Sequence, residues 1–354
     1  MRLFHFLVPR PSGNFGDDVL FQATKDAFCR TFGDDIEWID YPLRNHTTNR
    51  VIEVVNSCDA VVVGGGGLLL KDTAPNSVSG WQWACSIEHL RRISVPLIVF
   101  SIGYNRFRGQ DDFDPVFFEH MQETINKAAF FSVRNSGSRQ ALLNSGLTGN
   151  IFVNPCPSLF YAPRHLSCTK HNTKRIAFNL AGDRQHLRFD KDSLYSELHK
   201  CIDLLKKEGW EIHFLNHNWN PASNCQDFID SVQDCIVHDI ETNWTVEDID
   251  HGFDVYHKMN VVVGMRGHAQ LIPFGRGIPV ISLISHDKLK WFLNDVDMQF
   301  TGVEANEFNM GESLFRLVRR IHTYSETRYL QQTALTKLRA QFDDNMNMLK
   351  EVIS

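Results

Sequence analysis

The stretch MNVVVGMRGHAQLIPFGRGIPVISLISHDKLKWFL, residues 259–293, decides how this chain folds. Val261, Val262 and Val263 form an unbroken β-branched run, the composition of a strand buried on both faces. Gly264 ends the run, and an apolar helical pattern opens at Arg266 and His268. A second strand-like run, 279–283, follows and ends near His286 and Lys288. A guanidinium, an imidazole and an ammonium therefore lie at the carboxyl ends of two consecutive strands. Ligands bind at that edge in open α/β sheets. Cations gathered there suit an anionic small molecule, and a histidine beside them can move protons.

The same alternation runs outward in both directions. Strands are expected over residues 3–8, 36–39, 60–63, 97–101, 130–133 and 151–153, with helices over 17–30, 50–57, 78–92, 115–127 and 136–144 between them. The polar, aperiodic stretch 162–174 reads as a linker, after which strands restart at 176–180, 211–215, 235–238, 260–263 and 280–283. Continuous Val/Ile/Leu/Phe runs imply parallel sheets. The expectation is an α/β protein of two doubly wound domains facing a cleft, 1–163 and 174–325, with a helical tail over 326–354. The whole chain has 354 residues, of which 43% are hydrophobic and 22% charged, as is ordinary for globular proteins. A net charge of −6 with no basic run argues against a nucleic-acid partner. The eight cysteines show no CxxC or other metal spacing and read as scattered reduced thiols. No metal site and no bound cofactor are expected, since no HExxH or related pattern occurs. No apolar run approaches the length of a signal peptide or membrane span, so a cytoplasmic protein is expected, with peripheral membrane contact left open.

Other strand ends add candidates. Gly13-Asn14-Phe15-Gly16-Asp17-Asp18 links the first strand to the first helix, where free N–H groups attract anions or hydroxyls. Asn14 and Asp17 are candidate acceptor or cleft residues there; the plainer alternative makes Asp17 a helix cap. Gly64 to Gly67 read as a turn after the 60–63 strand, and Gly65 and Gly66 would let a ligand approach the backbone. Neither a P-loop nor GxGxxG is present. Arg134 ends the strand before Asn135 and Ser136, and can fork two hydrogen bonds onto a carboxylate or phosphate; an interdomain ion pair is the alternative. Trp81, Trp83, Trp219 and Tyr104 are candidates for a sugar-stacking platform, against the commoner core role. His213 and His217, near a strand end, could contact an acceptor, whereas His165, His171 and His186 read as solvated surface.

Taken in order, GNFGDDVL (13–20), DAVVVGGGGLL (59–69), FSIG (100–103), FSVRNSGS (131–138), NPCPSL (154–159) and MRGHAQLIPFGRGIPVISL (265–283) with Lys288 resemble the polysaccharide pyruvyl transferase family. The resemblance implies two Rossmann-like domains in a glycosyltransferase-B-like arrangement. It also implies transfer of the pyruvate unit of phosphoenolpyruvate onto two sugar hydroxyls, forming a cyclic ketal and releasing phosphate. Phosphoenolpyruvate would be a co-substrate. The acceptor would be a sugar or polysaccharide, free, nucleotide-linked or lipid-linked. Arg266, Arg134 and Lys288 would hold the donor, and His268 would be the general acid/base. Three positions depart from the family pattern. Asn135 and Asn154 stand where members often carry Asp, and Ser285 or His286 where a Tyr is common. Two other readings fit the same architecture: a nucleotide-sugar-dependent glycosyltransferase, and a catalytically silent sugar-binding member.

Overall fold

A computed structural model describes residues 1–9, 12–73, 76–165, 173–240, 245–323 and 325–353. Twelve strands alternate with helices: β1 (Arg2–Leu7), β2 (Glu37–Pro42), β3 (Ala60–Leu69), β4 (Leu97–Tyr104), β5 (Phe130–Val133), β6 (Phe152–Val153), β7 (Lys174–Asn179), β8 (Trp210–Asn216), β9 (Cys235–Asp239), β10 (Val261–Gly264), β11 (Val280–Ile284) and β12 (Gly302–Glu304). They form two six-stranded sheets, ordered β2-β1-β3-β4-β5-β6 and β12-β11-β10-β7-β8-β9, and every pairing is parallel. In each sheet the first strand has its successor on one side and a later strand on the other. The order therefore reverses between β1 and β3 and between β7 and β10. Crevices open at the carboxyl ends of strands where the order reverses.

The valines of 261–263 are fully buried, as a strand covered by helices on both faces requires. β12 carries too short an apolar run to stand out in the sequence; it adds parallel to β11 at the sheet edge. The helix expected over 78–92 forms only as Ile87–Arg92. Before it, Ser79 Oγ donates to the carbonyl of Trp83 at 2.6 Å and Asn76 Oδ1 accepts from two backbone amides, which fixes a turn instead. Trp81 and Trp83 are buried by that turn and form no sugar platform.

Gly64 to Gly67 are not a turn. β3 runs straight through them, with a register shift between Gly66 and Leu69 and positive φ of 81° and 106° at Gly65 and Gly66. Only glycine tolerates that backbone cheaply, so the four residues bend a strand rather than end it.

The expected linker falls partly outside the described residues, as do His171 and Cys168; the seven described cysteines are free. The tail is one helix, Ser325–Ile353. It lies against the first sheet's layer, where Phe342 meets Phe100 and Phe160, and Asn345 Nδ2 donates to the carbonyl of Val153 at 2.9 Å. One apolar cluster joins Leu159 and Phe160 to Leu271, Phe274 and Phe292 of the second sheet's helices and to Leu338 of the tail. Among the described residues no helix is long and apolar enough to cross a membrane.

Candidate functional site

The two switch points face each other across a cleft of about 840 Å³. From the first sheet's side come Asn14 and Asp17 after β1, Arg44 after β2, Gly67 of β3, Asn105 after β4 and Arg134 after β5. From the second come Asp183, Arg184 and Arg188 after β7, His217 after β8, Arg266 and His268 after β10, and Lys288 after β11. Strand order brings these side chains together, because all but Gly67, which lies within β3, follow a carboxyl end.

Charge is the dominant property. Among the described residues, Arg44, Arg134, Arg184, Arg188, Arg266 and Lys288 line the cleft against only Asp17 and Asp183. Asp183 sits among the basic groups, 3.1 Å from Arg266, 3.0 Å from Arg188 and 3.3 Å from Arg184. Burial alone would raise its pKa, but Arg266, Arg188 and Lys288 overrule burial and hold it well below the carboxylate range. Lys288 is driven far below an ordinary lysine by burial, then by Arg188 and Arg134. Arg134 is held by Asn105 Oδ1 at 3.1 Å. Arg266 donates to the carbonyl of Ser223. A closely packed, under-neutralised cluster of this kind favours an anion with more than one charged group.

His268 opens the helix Gly267–Gly275, with its Nδ1 3.8 Å from Asp17 Oδ1 and its Nε2 3.8 Å from Cys156 Sγ. Burial, then Arg134, His217 and Lys288, push its pKa well below that of free histidine, so the ring rests neutral. Asp17 moves the other way: burial and then Asp18 raise its pKa. Gly16 is needed for this approach, since a Cβ there would lie 2.3 Å from His268 Cβ and Nδ1. The first helix, Phe15–Phe32, is capped by Asn14, whose Oδ1 accepts from the Gly16 amide at 3.0 Å; Asp17 is not the cap. Two helix N-termini thus converge on the cleft, adding to its preference for anions.

Several expected site residues lie elsewhere. Tyr104 is buried against Phe113, with ring centroids 5.5 Å apart, and does not reach the cleft. Gly65 and Gly66 sit behind the cleft wall against Leu20, and only Gly67 of that run lines the cleft. His213 is engaged with Glu211 and His238 at 2.7 and 2.9 Å, away from the cleft. His217 does line it, bonded to the Tyr256 hydroxyl at 2.6 Å and pushed down to about 3 by burial and Arg266. The departures from the family pattern have structural work. Asn135 Oδ1 caps the helix Ser136–Asn144 through the Ser138 amide at 2.7 Å. Buried Asn154 donates to Ser101 Oγ at 2.9 Å. His286 caps the helix Asp287–Asp295, and Ser285 Oγ accepts from Arg188 at 3.0 Å.

Arg44, Asp183, Arg184 and Arg188 carry no sequence signal beyond following a strand; their place depends on how the two halves meet. Arg184 shows this directly, since it reaches across to Asp72 of the first half at 2.6 Å. Among the described residues, no group of three or more His, Cys, Asp or Glu side chains is placed to hold a metal.

Solved structures similar to this one cover nearly the whole chain at low identity. S. aureus MnaA with UDP aligns at TM-score 0.58 and 12% identity, covering 94% of this chain and 91% of its own. UDP-GlcNAc 2-epimerase from Methanocaldococcus jannaschii, in complex with UDP-GlcNAc and UDP, aligns at 0.53 and 13%, covering 92% and 94%. That of Neisseria meningitidis, bound to UDP-GlcNAc, aligns at 0.52 and 14%, covering 94% of each chain. These likenesses establish the glycosyltransferase-B-like fold alone. Among curated proteins none matches the sequence significantly. The family model for polysaccharide pyruvyl transferases matches residues 14–287, a span from the Asn14 loop to the start of the helix carrying Lys288, and the chain belongs to that family.

Proposed function

We propose that this protein transfers the pyruvate unit of phosphoenolpyruvate to two hydroxyls of a sugar or glycan, forming a cyclic ketal. The observation that carries the reading is the set of six basic side chains around a cleft with two carboxylates, with His268 beside them. Phosphoenolpyruvate presents a carboxylate and a phosphate on one small frame, which matches a two-sided cluster of cations. Arg266 and Arg134 hold these groups with Lys288. In the reaction the enol methylene carbon takes a proton and the neighbouring carbon takes the first hydroxyl oxygen. The second hydroxyl oxygen then displaces phosphate from that same carbon. One hydroxyl proton ends in the new methyl group and the other leaves with phosphate.

His268 relays the first proton. It rests neutral because burial and neighbouring cations oppose its charge. A bound donor brings negative charge that offsets those cations, so the ring can accept the hydroxyl proton and pass it to carbon. Asn14 and Asp17 position the acceptor from the opposite wall.

Calorimetry of the purified protein against phosphoenolpyruvate tests the donor, with UDP- and CMP-sugars titrated in parallel and Arg266→Ala as control. Binding of phosphoenolpyruvate alone, lost in the variant, is the expected result. Binding of a nucleotide sugar alone, with no ketal formed, would transfer the site to glycosyl transfer. Silence toward all of them would favour a non-catalytic sugar binder.

A further inference from the structure

β8 and β9 end beside a second hollow that the charged cleft does not use. Asn216, Asn218, Trp219, Asn224, Gln226 and Asp239 line it, around about 640 Å³. Its chemistry is the opposite of the cleft's. Among the described residues that line it, none is basic, one is a carboxylate, and four are amides.

The amides are held in place. Asn216 Nδ2 donates to Asp239 Oδ1 at 2.8 Å. Asn224 Nδ2 donates to the Asn218 carbonyl at 2.6 Å, and its Oδ1 accepts from the Asn218 amide at 3.3 Å. Asn218 Oδ1 accepts from the Asn220 amide at 2.8 Å. These bonds leave Asn216 Oδ1, Asn218 Nδ2 and Asp239 Oδ2 without a partner among the described residues. Fixed donors and acceptors of both kinds thus border one space.

Trp219 completes it. The indole is 45% exposed, whereas Trp81 and Trp83 are fully buried. It is also anchored. Its backbone N–H donates to the Gly13 carbonyl at 3.1 Å, and the ring lies against Gly13. Asn14 and Asn218 pair as an antiparallel bridge, and the Phe15 amide donates to the His217 carbonyl at 2.9 Å. Because Asn14 and His217 line the cleft, the hollow begins one residue beyond it. An anchored, water-facing indole leaves apolar area uncovered unless a ligand with one apolar face lies on it.

An anion is disfavoured by Asp239 and the lack of cations, and a hydrocarbon by the five polar side chains. A pyranose meets every condition, with hydroxyls at its rim and a C–H face for the indole. We infer that this hollow is a subsite for an uncharged sugar ring, next along the glycan from the ring that reacts in the cleft. The inference rests on the proposed sugar acceptor but not on the donor.

The test uses the full chain with lactose, cellobiose, mannobiose and chitobiose, followed by saturation-transfer NMR and calorimetry. At least one disaccharide should bind saturably. Trp219→Ala should weaken that binding by about tenfold, or 1.4 kcal/mol. Trp219→Phe should weaken it less, since an aromatic plane remains. Absence of binding by all four, or binding undiminished in Trp219→Ala, overturns the subsite. Disaccharide binding through Trp219 without phosphoenolpyruvate binding sustains the subsite while the donor reading fails. Phosphoenolpyruvate binding without disaccharide binding does the reverse.

Discussion

Gly16 and His268 share a space that admits only one side chain. With His268 only 8% exposed, the imidazole cannot swing clear if a methyl group appears opposite it. Gly16→Ala should therefore displace the ring, lowering the melting point through a penalty of about 1–3 kcal/mol for overpacking. Its turnover should fall together with stability, and unchanged values of both would show that the helix can slide aside. Replacing the ring itself separates chemistry from binding. His268→Ala should cut ketal formation by about 10²–10⁴, the usual contribution of a general acid/base. Phosphoenolpyruvate affinity in that variant should stay nearly intact, because the cations remain. Lost binding with residual turnover would remove His268 from the proton relay and place it among the donor contacts.

At the scale of elements, the cleft is built from helix starts. The helices Phe15–Phe32 and Gly267–Gly275 both begin at its wall, and Ser136–Asn144 begins just behind Arg134. Each start must satisfy free amides, and Asn14 and Asn135 do so with their side chains. Asn135 therefore keeps Arg134 at the end of β5 by fixing where the next helix begins. Asn135→Ala should cost about 1 kcal/mol in chemical denaturation, whereas Asn135→Asp should be nearly neutral, as both residues cap equally well. Stability equal to wild type in the alanine variant would rule out the cap as the reason for this residue. Periodicity made the helices at 115–127 and 136–144 legible, and both form where expected. It misled at 78–92 because the side chains of Asn76 and Ser79 bond the local backbone and fix a turn in place of the first helical turns.

Across the whole molecule, two apolar clusters and several ion pairs join the halves. Arg108 binds Asp287 at 2.6 Å and Glu304 at 2.8 Å, and Arg184 binds Asp72, so the cleft walls are tied at its rim. Many histidines are buried in the neutral form. Burial lowers His120 to about 4, burial and Arg266 lower His217 to about 3, and burial with nearby cations drives His268 and His286 well below the ordinary value. Above about pH 6.5 folded and unfolded chains hold these rings alike. As pH falls below that, the unfolded chain takes up protons that the folded one cannot, so stability drops. The melting point should change little from pH 8 to 7 and then decline steadily toward pH 5. A flat profile down to pH 5 would mean that these rings become charged within the fold. The sequence by itself determined the α/β alternation, the parallel sheets and the presence of Arg134, Arg266, His268 and Lys288 at strand ends, because strand and helix periods and strand-end position are local properties. Only the tertiary structure decided that Arg44, Asp183, Arg184 and Arg188 join them, that Tyr104 does not, and that Trp219 rather than Trp81 or Trp83 faces water. Those outcomes depend on strand order and on burial between residues far apart in the chain, which no local pattern encodes.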